Sequence, residues 1–263
     1  MRNSINAVTV SVDFGDILAL TLPYNRCHFN RFLVVTVPYD EQTIKVAEEN
    51  DCEVFTTGDF YNGGAEFAKY AGLEAAIASW TGRNGWMCFL DADTVWPREG
   101  DWRERIAYMP LQKGFLHGPF RHVKESLEGG IPPEAQWSEY PRHPVHSEFP
   151  GYTQIFHSED EVLGPLPWHE VDWRHAGGGD SFFQMKWPDD RRIRLAMPTL
   201  SLGPHGVNWC GRSSPYVDGS VHPEAAARKN RVKAYIRGRP SGPRVTTEQR
   251  HAAEKLPPRS KGG

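Results

Sequence analysis

The chain has 263 residues, of which 39% are hydrophobic, and a net charge of −3. That is enough apolar material for a sizeable α/β core, which excludes a disordered or fibrous chain. No apolar run approaches the roughly 20 residues of a membrane span, and residues 1–4 lead into a strand-like run rather than a signal peptide, so a cytoplasmic protein is expected.

In chain order, the first hundred residues alternate strand and helix. Residues 7–12 (AVTVSV) read as a strand, 16–22 as a helix stopped by Pro23, and 31–37 (RFLVVTV) as a second buried strand. Asp40 is placed as the N-cap of a helix over 43–48. A short third strand follows at 53–56. A helix over 65–80 has Phe67, Ala68, Ala71, Ala75 and Ala78 on one face, and a fourth strand spans 86–90. Connections this short imply a parallel sheet.

After Pro97 the pattern loosens. Strands are expected at 114–120, 152–156 and 194–197, and a short helix at 180–187 opened by Gly177-Gly178-Gly179. Residues 128–151 read as a long loop. The chain thus divides into a nucleotide-binding half (1–97), an acceptor-side half of the same domain (98–223) and a tail (224–263). The tail holds eleven Lys or Arg against three Glu, a net +8, and leaves −11 on the rest. Such a tail points to a polyanionic partner such as nucleic acid, or folds back on its own acidic body. Cys27, Cys52, Cys88 and Cys210 form no CxxC pair and read as reduced, mostly buried thiols.

The most informative feature is Asp91-Ala92-Asp93, at the end of the apolar run 86–90. Adjacent anions at a strand end repel unless a cation, typically Mg²⁺ or Mn²⁺, sits with them. Side chains two apart on an extended chain face opposite ways, so the pair converges only if the chain turns there. In open α/β sheets ligands bind beyond the carboxyl ends of the strands. A metal and a phosphate-bearing substrate are therefore expected.

With Phe89-Leu90-Asp91-Ala92-Asp93 the chain resembles the GT-A glycosyltransferases, which transfer a sugar from a nucleotide-sugar donor. The resemblance extends to Thr21-Leu22-Pro23-Tyr24-Asn25 and the strand at 31–36, similar to a bacterial and phage-like subgroup. It also includes Ala176-Gly177-Gly178-Gly179-Asp180, and the run from Leu202 through Gly203-Pro204-His205-Gly206 to Arg212. It implies a Rossmann-like GT-A α/β fold with a mostly parallel central sheet, a looser acceptor-side half and a basic C-terminal tail. It also implies a Mn²⁺ or Mg²⁺ cofactor and a nucleotide-sugar donor, such as a UDP-sugar. Asp93 is then the direct metal ligand, and Asp91 holds the ribose or ligates through water. His205 is the third metal ligand, although relatives often carry that histidine directly before Leu-Gly, where this chain has Ser201.

Asp180 is the expected catalytic base, taking the acceptor hydroxyl's proton. A helix N-terminus would stabilise its anion. Asp13 and Asp40, ending the first two strands, are candidate nucleotide contacts. Asn62 and Lys69 are candidates for the diphosphate or ribose, and Arg121 for sugar or phosphate. Trp137, Trp168, Trp173 and Trp209 are either sugar-stacking faces or core.

Three other readings use the same letters. In a haloacid-dehalogenase-like phosphatase, Asp91 and Asp93 would be nucleophile and general acid and Asp189-Asp190 the acidic pair. That motif belongs on an early strand, whereas here three strand–helix units precede it. Sugar nucleotidyltransferases need a Gly-rich, Arg-containing signature that Val12-Asp13-Phe14-Gly15-Asp16 lacks. A nucleic-acid-binding protein on a transferase scaffold would use the tail. A transferase whose acceptor is modified DNA combines the two, beside a glycan or small-molecule acceptor.

Overall fold

The computed structural model describes residues 2–65, 67–142, 151–172 and 176–203. His205, Trp173, Trp209, Cys210 and the basic tail lie outside these residues.

Eight strands form one sheet in the order β3-β2-β1-β4-β7-β6-β8-β5. In residues 1–97 the four expected strands appear in order, the first of them two residues earlier than its pattern predicts. β1 (Ile5–Val10), β2 (Arg31–Thr36), β3 (Glu53–Thr56) and β4 (Trp86–Leu90) are all parallel. Their side chains are buried almost continuously along β1, β2 and β4, as expected of strands covered on both faces. Because they run the same way, residues 11–13, 37–40, 57–59 and 91 share one edge of the sheet.

The second half departs from a mostly parallel sheet. β7 (Thr153–His157) runs antiparallel to β4 and to β6 (Leu116–Lys124), while β6 pairs in parallel with β8 (Arg192–Leu202). β5, only Thr94–Val95, pairs antiparallel with β8. The sheet is mixed because this half lacks the regular helical crossovers that parallel neighbours require. β8 also runs well beyond the expected 194–197, since its far end is needed to pair with β5.

Three helices differ from expectation. α1 (Gly15–Asn25) carries Pro23 inside its last turn instead of ending at it. Proline normally breaks a helix by removing a hydrogen bond, but here Asn25 beyond it is anchored by buried side-chain bonds to Thr94 and Trp96. α2 (Glu41–Glu49) is N-capped by Asp40, whose Oδ1 accepts from the Thr43 amide at 3.1 Å. α3 (Lys69–Ser79) starts later than expected, because residues 59–64 form a 3₁₀ segment kinked at Asn62 and Gly63. α4 (Trp102–Ala107) has no clear signal in the sequence, and α5 (Gly179–Gln184) follows the glycine triplet.

Two core clusters sandwich the sheet. One contains Phe60, Tyr70, Leu73, Phe89, Phe156 and Trp187, the other Leu18, Phe32, Cys88, Trp96 and Ile155. A smaller cluster of Val95, Trp137, Leu200 and Leu202 packs with Leu20 and Tyr24. Trp137 and Trp168 are buried at 1% and 5% exposure, so they are core rather than open sugar-stacking faces. Cys27, Cys52 and Cys88 are free thiols, and burial pushes Cys52 up to about 12. Among the described residues no helix is long and apolar enough to cross a membrane.

His117 is wholly buried, and its Nε2 accepts the Gln112 amide at 3.1 Å, a bond that needs an unprotonated nitrogen. Burial lowers it to about 4; His28 is likewise lowered to about 4, first by burial and then by the charge of Arg103. Both bind protons more readily in the unfolded chain, so their contribution is complete above about pH 6.5 and is lost as pH falls from there toward 4. We expect urea midpoints to fall between pH 7.5 and 4.5, with His117 alone contributing about 3 kcal/mol by pH 4. His117→Gln, whose amide oxygen can accept the same bond, should flatten that slope; an unchanged slope would refute the assignment.

Candidate active site

The Asp91-Ala92-Asp93 segment is a turn. The Thr94 amide donates to the Asp91 carbonyl at 3.1 Å, and the Asp91 amide donates to the Tyr152 carbonyl at 3.0 Å. The turn supplies the condition under which carboxylates two apart can approach one ion.

The turn is also held from α1 and from β8. From α1, the Thr21 hydroxyl donates to the Ala92 carbonyl at 2.6 Å. One helical turn later, Asn25 donates to the Thr94 carbonyl at 2.7 Å and accepts from the Trp96 amide at 2.8 Å. Both residues are buried and lie on the same helix face. They belong to the Thr21–Asn25 run singled out in the sequence, and its polar residues are explained by this brace. From β8, the Leu202 amide donates to the Asp93 carbonyl at 2.9 Å. Ser201 pairs in register with Thr94, their hydroxyl oxygens 3.4 Å apart. Ser201 therefore lies beside the motif, buried.

Lys69, at the first turn of α3, reaches Asp91 with Nζ 2.7 Å from Oδ1; the side chains are 21% and 30% exposed. Burial opposes the ammonium's charge, but Asp91, with help from Asp180, holds it well above the ordinary lysine range. Lys69 thus neutralises one of the two carboxylates, a role its helical position alone did not reveal.

Asp180 lines the same open cleft as Lys69 and Asp91, together with Gly151, Gln154 and His169. It is the second residue of α5, after Gly178 in the left-handed conformation (φ 88°) as N-cap. Its amide donates to the Tyr70 hydroxyl at 2.8 Å, and its Oδ1 accepts the Ser181 amide at 2.8 Å. Two glycines make this arrangement possible. A Cβ on Gly179 would come within 2.1 Å of the Tyr70 ring, and one on Gly151 within 2.6 Å of Asp180 Oδ2. The glycine signal therefore reflects close packing around Asp180. Tyr70, Gln154 and Gly151 were not legible as site residues in the sequence, because each comes from a different element.

The other candidates are dispersed around this centre. Asp13, exposed and in the left-handed region (φ 59°), donates its amide to Asp40 Oδ2 at 2.7 Å. Asp40 also accepts from the Thr36 hydroxyl, so its carboxylate supports the loop ends of β1 and β2. Burial, then Tyr39 and Asp13, push the nearby Tyr61 phenol up to about 12. Asn62 is exposed and bonded to Asp59. Arg121 stacks 4.3 Å over the Tyr152 ring, next to the turn, and its Nε is buried with no hydrogen-bond partner among the described residues. Asp189 lies on an exposed 3₁₀ turn, paired with Arg192, and neither it nor Asp190 lines the cleft.

Among the described residues no cluster of three or more His, Cys, Asp or Glu is arranged to hold a metal. Asp91, already paired with the Lys69 ammonium, and Asp93 are oxygen donors of the kind a hard divalent ion takes, its remaining oxygens coming from phosphates and water.

No protein-family profile matches the chain, and no curated protein matches its sequence. Solved structures do match in fold. A mannosyltransferase from Pyrobaculum calidifontis, in complex with GDP-Man and Mn²⁺, shares 14% identity at a TM-score of 0.55, over 97% of this chain and 70% of that one. Glucosyl-3-phosphoglycerate synthase from Mycobacterium tuberculosis, in complex with Mn²⁺, UDP and glucosyl-3-phosphoglycerate, shares 12% identity at a TM-score of 0.50, over 89% of this chain and 78% of that one. The chain has the fold of these sugar-transferring proteins.

The α1 brace can be tested through stability. Asn25→Ala leaves the Thr94 carbonyl and the Trp96 amide buried without partners, and should cost about 2–4 kcal/mol, read as a lower urea midpoint. A change below about 0.5 kcal/mol would show that the brace contributes nothing.

Proposed function

We propose that the chain is a metal-dependent glycosyltransferase that moves a sugar from a nucleotide-sugar donor to an acceptor hydroxyl, with inversion. The observation that carries this reading is the placement of Asp91-Ala92-Asp93. It occupies a braced turn at the carboxyl edge of the parallel strands, and its first residue, Asp91, lines a cleft with Lys69 and Asp180. The fold shared with two sugar-transferring proteins, both in complex with Mn²⁺ and a nucleotide or nucleotide-sugar, supports it.

In this reading Asp93 holds Mn²⁺ or Mg²⁺ directly. Asp91, oriented by Lys69, contacts the ribose or the ion's water. His205 is the third protein ligand. The ion would stabilise the charge that develops on the departing diphosphate. Asp13 and Asn62 meet the nucleoside, with Asp40 supporting the loop beneath. Arg121 meets sugar or phosphate, where its buried Nε would gain an acceptor. Asp180 accepts the proton of the acceptor hydroxyl as its oxygen bonds to sugar C1. In the same displacement the C1–O bond to the diphosphate breaks, and its electron pair leaves on the phosphate oxygen. The net +8 on residues 224–263 supports a polyanionic acceptor, modified DNA among them, beside a glycan or a small molecule.

A thermal-shift panel of UDP-, GDP-, dTDP- and CMP-sugars with Mn²⁺ tests the donor. One of them should raise Tm, by linkage worth about 2.7 kcal/mol at a hundredfold excess over Kd. EDTA or Asp93→Ala should abolish the shift, and sugar transfer that persists in excess EDTA would rule out the metal. For the base, Asp180→Asn should lower kcat at least about a hundredfold while donor binding survives. Near-normal turnover would remove Asp180 from the chemistry.

A further inference from the structure

At the wall of the cleft, His169 forms with Glu74 a buried ionisable pair that the proposed reaction does not use. Glu74, on α3 and 5% exposed, accepts three hydrogen bonds from residues 168 and 169. Its Oε2 takes the Trp168 amide at 2.9 Å. Its Oε1 takes the His169 amide at 3.0 Å and faces the His169 ring Nδ1 at 2.6 Å. This geometry places the ring proton on Nδ1, directed at the carboxylate. His169 Nε2 is then an acceptor, buried and without a partner among the described residues. A buried orphan acceptor costs stability that an apolar side chain of similar shape would not, so packing alone does not account for a histidine here.

The histidine ring is the middle layer of a stack. It lies over Tyr70 at 4.6 Å (22°) and over Phe183 at 4.5 Å (17°). Tyr70 belongs to the first turn of α3, next to Lys69, and Phe183 belongs to α5. The Tyr70 hydroxyl accepts the Asp180 amide, and its ring lies where a Gly179 side chain would be. A continuous set of contacts therefore runs from Glu74 through His169 and Tyr70 to Asp180. One residue earlier on the same helix, Lys69 holds Asp91.

We propose that Glu74 and His169 are positioning residues for sugar transfer, locking the Tyr70 ring and hydroxyl so that Asp180 is set in register with the Lys69–Asp91 pair across the cleft. The proposal rests on the transferase reading for its kinetic consequence, but not for its structural one. Burial keeps the His169 ring neutral against the pull of Glu74, which suits a fixed tautomer. With both stacked faces and Nδ1 occupied, the ring cannot rotate without breaking the contact to Tyr70.

Two conservative variants test it. Tyr70→Phe keeps the stacked ring and removes only the hydroxyl. Glu74→Gln keeps the shape, but gives one acceptor oxygen where three donors converge. Both should lower kcat at least about tenfold with KM for the nucleotide-sugar within about twofold, as misplacement of a reacting group does. Both should also accelerate hydrogen exchange at the Asp180 amide, and in Glu74→Gln the ¹⁵N spectrum of His169 should shift away from the Nδ1–H tautomer. If both variants fold and keep wild-type kcat and Asp180 exchange, the proposal is overturned. If Tyr70→Phe alone responds, Glu74 and His169 are structural only, which also overturns it. A wild-type protein that binds no nucleotide-sugar would instead overturn the transferase reading. The exchange and tautomer measurements need no substrate and would still decide whether the pair sets Asp180.

Discussion

The structure around the cleft depends on one constraint: two carboxylates two residues apart must be held where a buried strand meets solvent. Their mutual repulsion would open the turn if nothing opposed it. The protein opposes it with backbone bonds and one cation. Tyr152, Thr21, Asn25 and Leu202 fix the main chain of the turn, and Lys69 takes one oxygen of Asp91. These groups come from the segment before β7, from α1, β8 and α3, so the motif, which follows β4, also ties the two halves of the sheet together.

This constraint explains features that otherwise look unrelated. The polar residues Thr21 and Asn25 are buried on α1 because the turn's carbonyls need donors. Pro23 is tolerated because the residues beyond it are anchored. β8 extends to Leu202 because Thr94 and Asp93 need a pairing edge. Gly179 and Gly151 leave no room for a side chain beside Tyr70 and Asp180.

Much of residues 1–97 was legible in the sequence. Strands at 31–36, 53–56 and 86–90, and the Asp40 cap, depend on local patterns of burial and hydrogen bonding. The acceptor-side half was less legible, since its antiparallel strands, the two-residue β5 and the late start of α3 are set by pairing and by a kink at Asn62 and Gly63. Lys69 reads equally well as an exposed helical lysine until its neighbour Asp91 is placed. Glu74 and His169, 95 positions apart, carry no shared sequence signal at all.

The sequence by itself determined that an acidic pair ends a strand after three strand–helix units, because the apolar period and the turn chemistry act over a few residues. It also singled out Asp180 behind its glycines. Only the tertiary structure decided that the acidic pair lies on a turn, that Lys69 compensates one carboxylate and that Asp180 shares a cleft with Lys69 and Asp91. Those facts depend on contacts between side chains from separate elements, and such contacts are fixed by packing across the sheet rather than by neighbours along the chain.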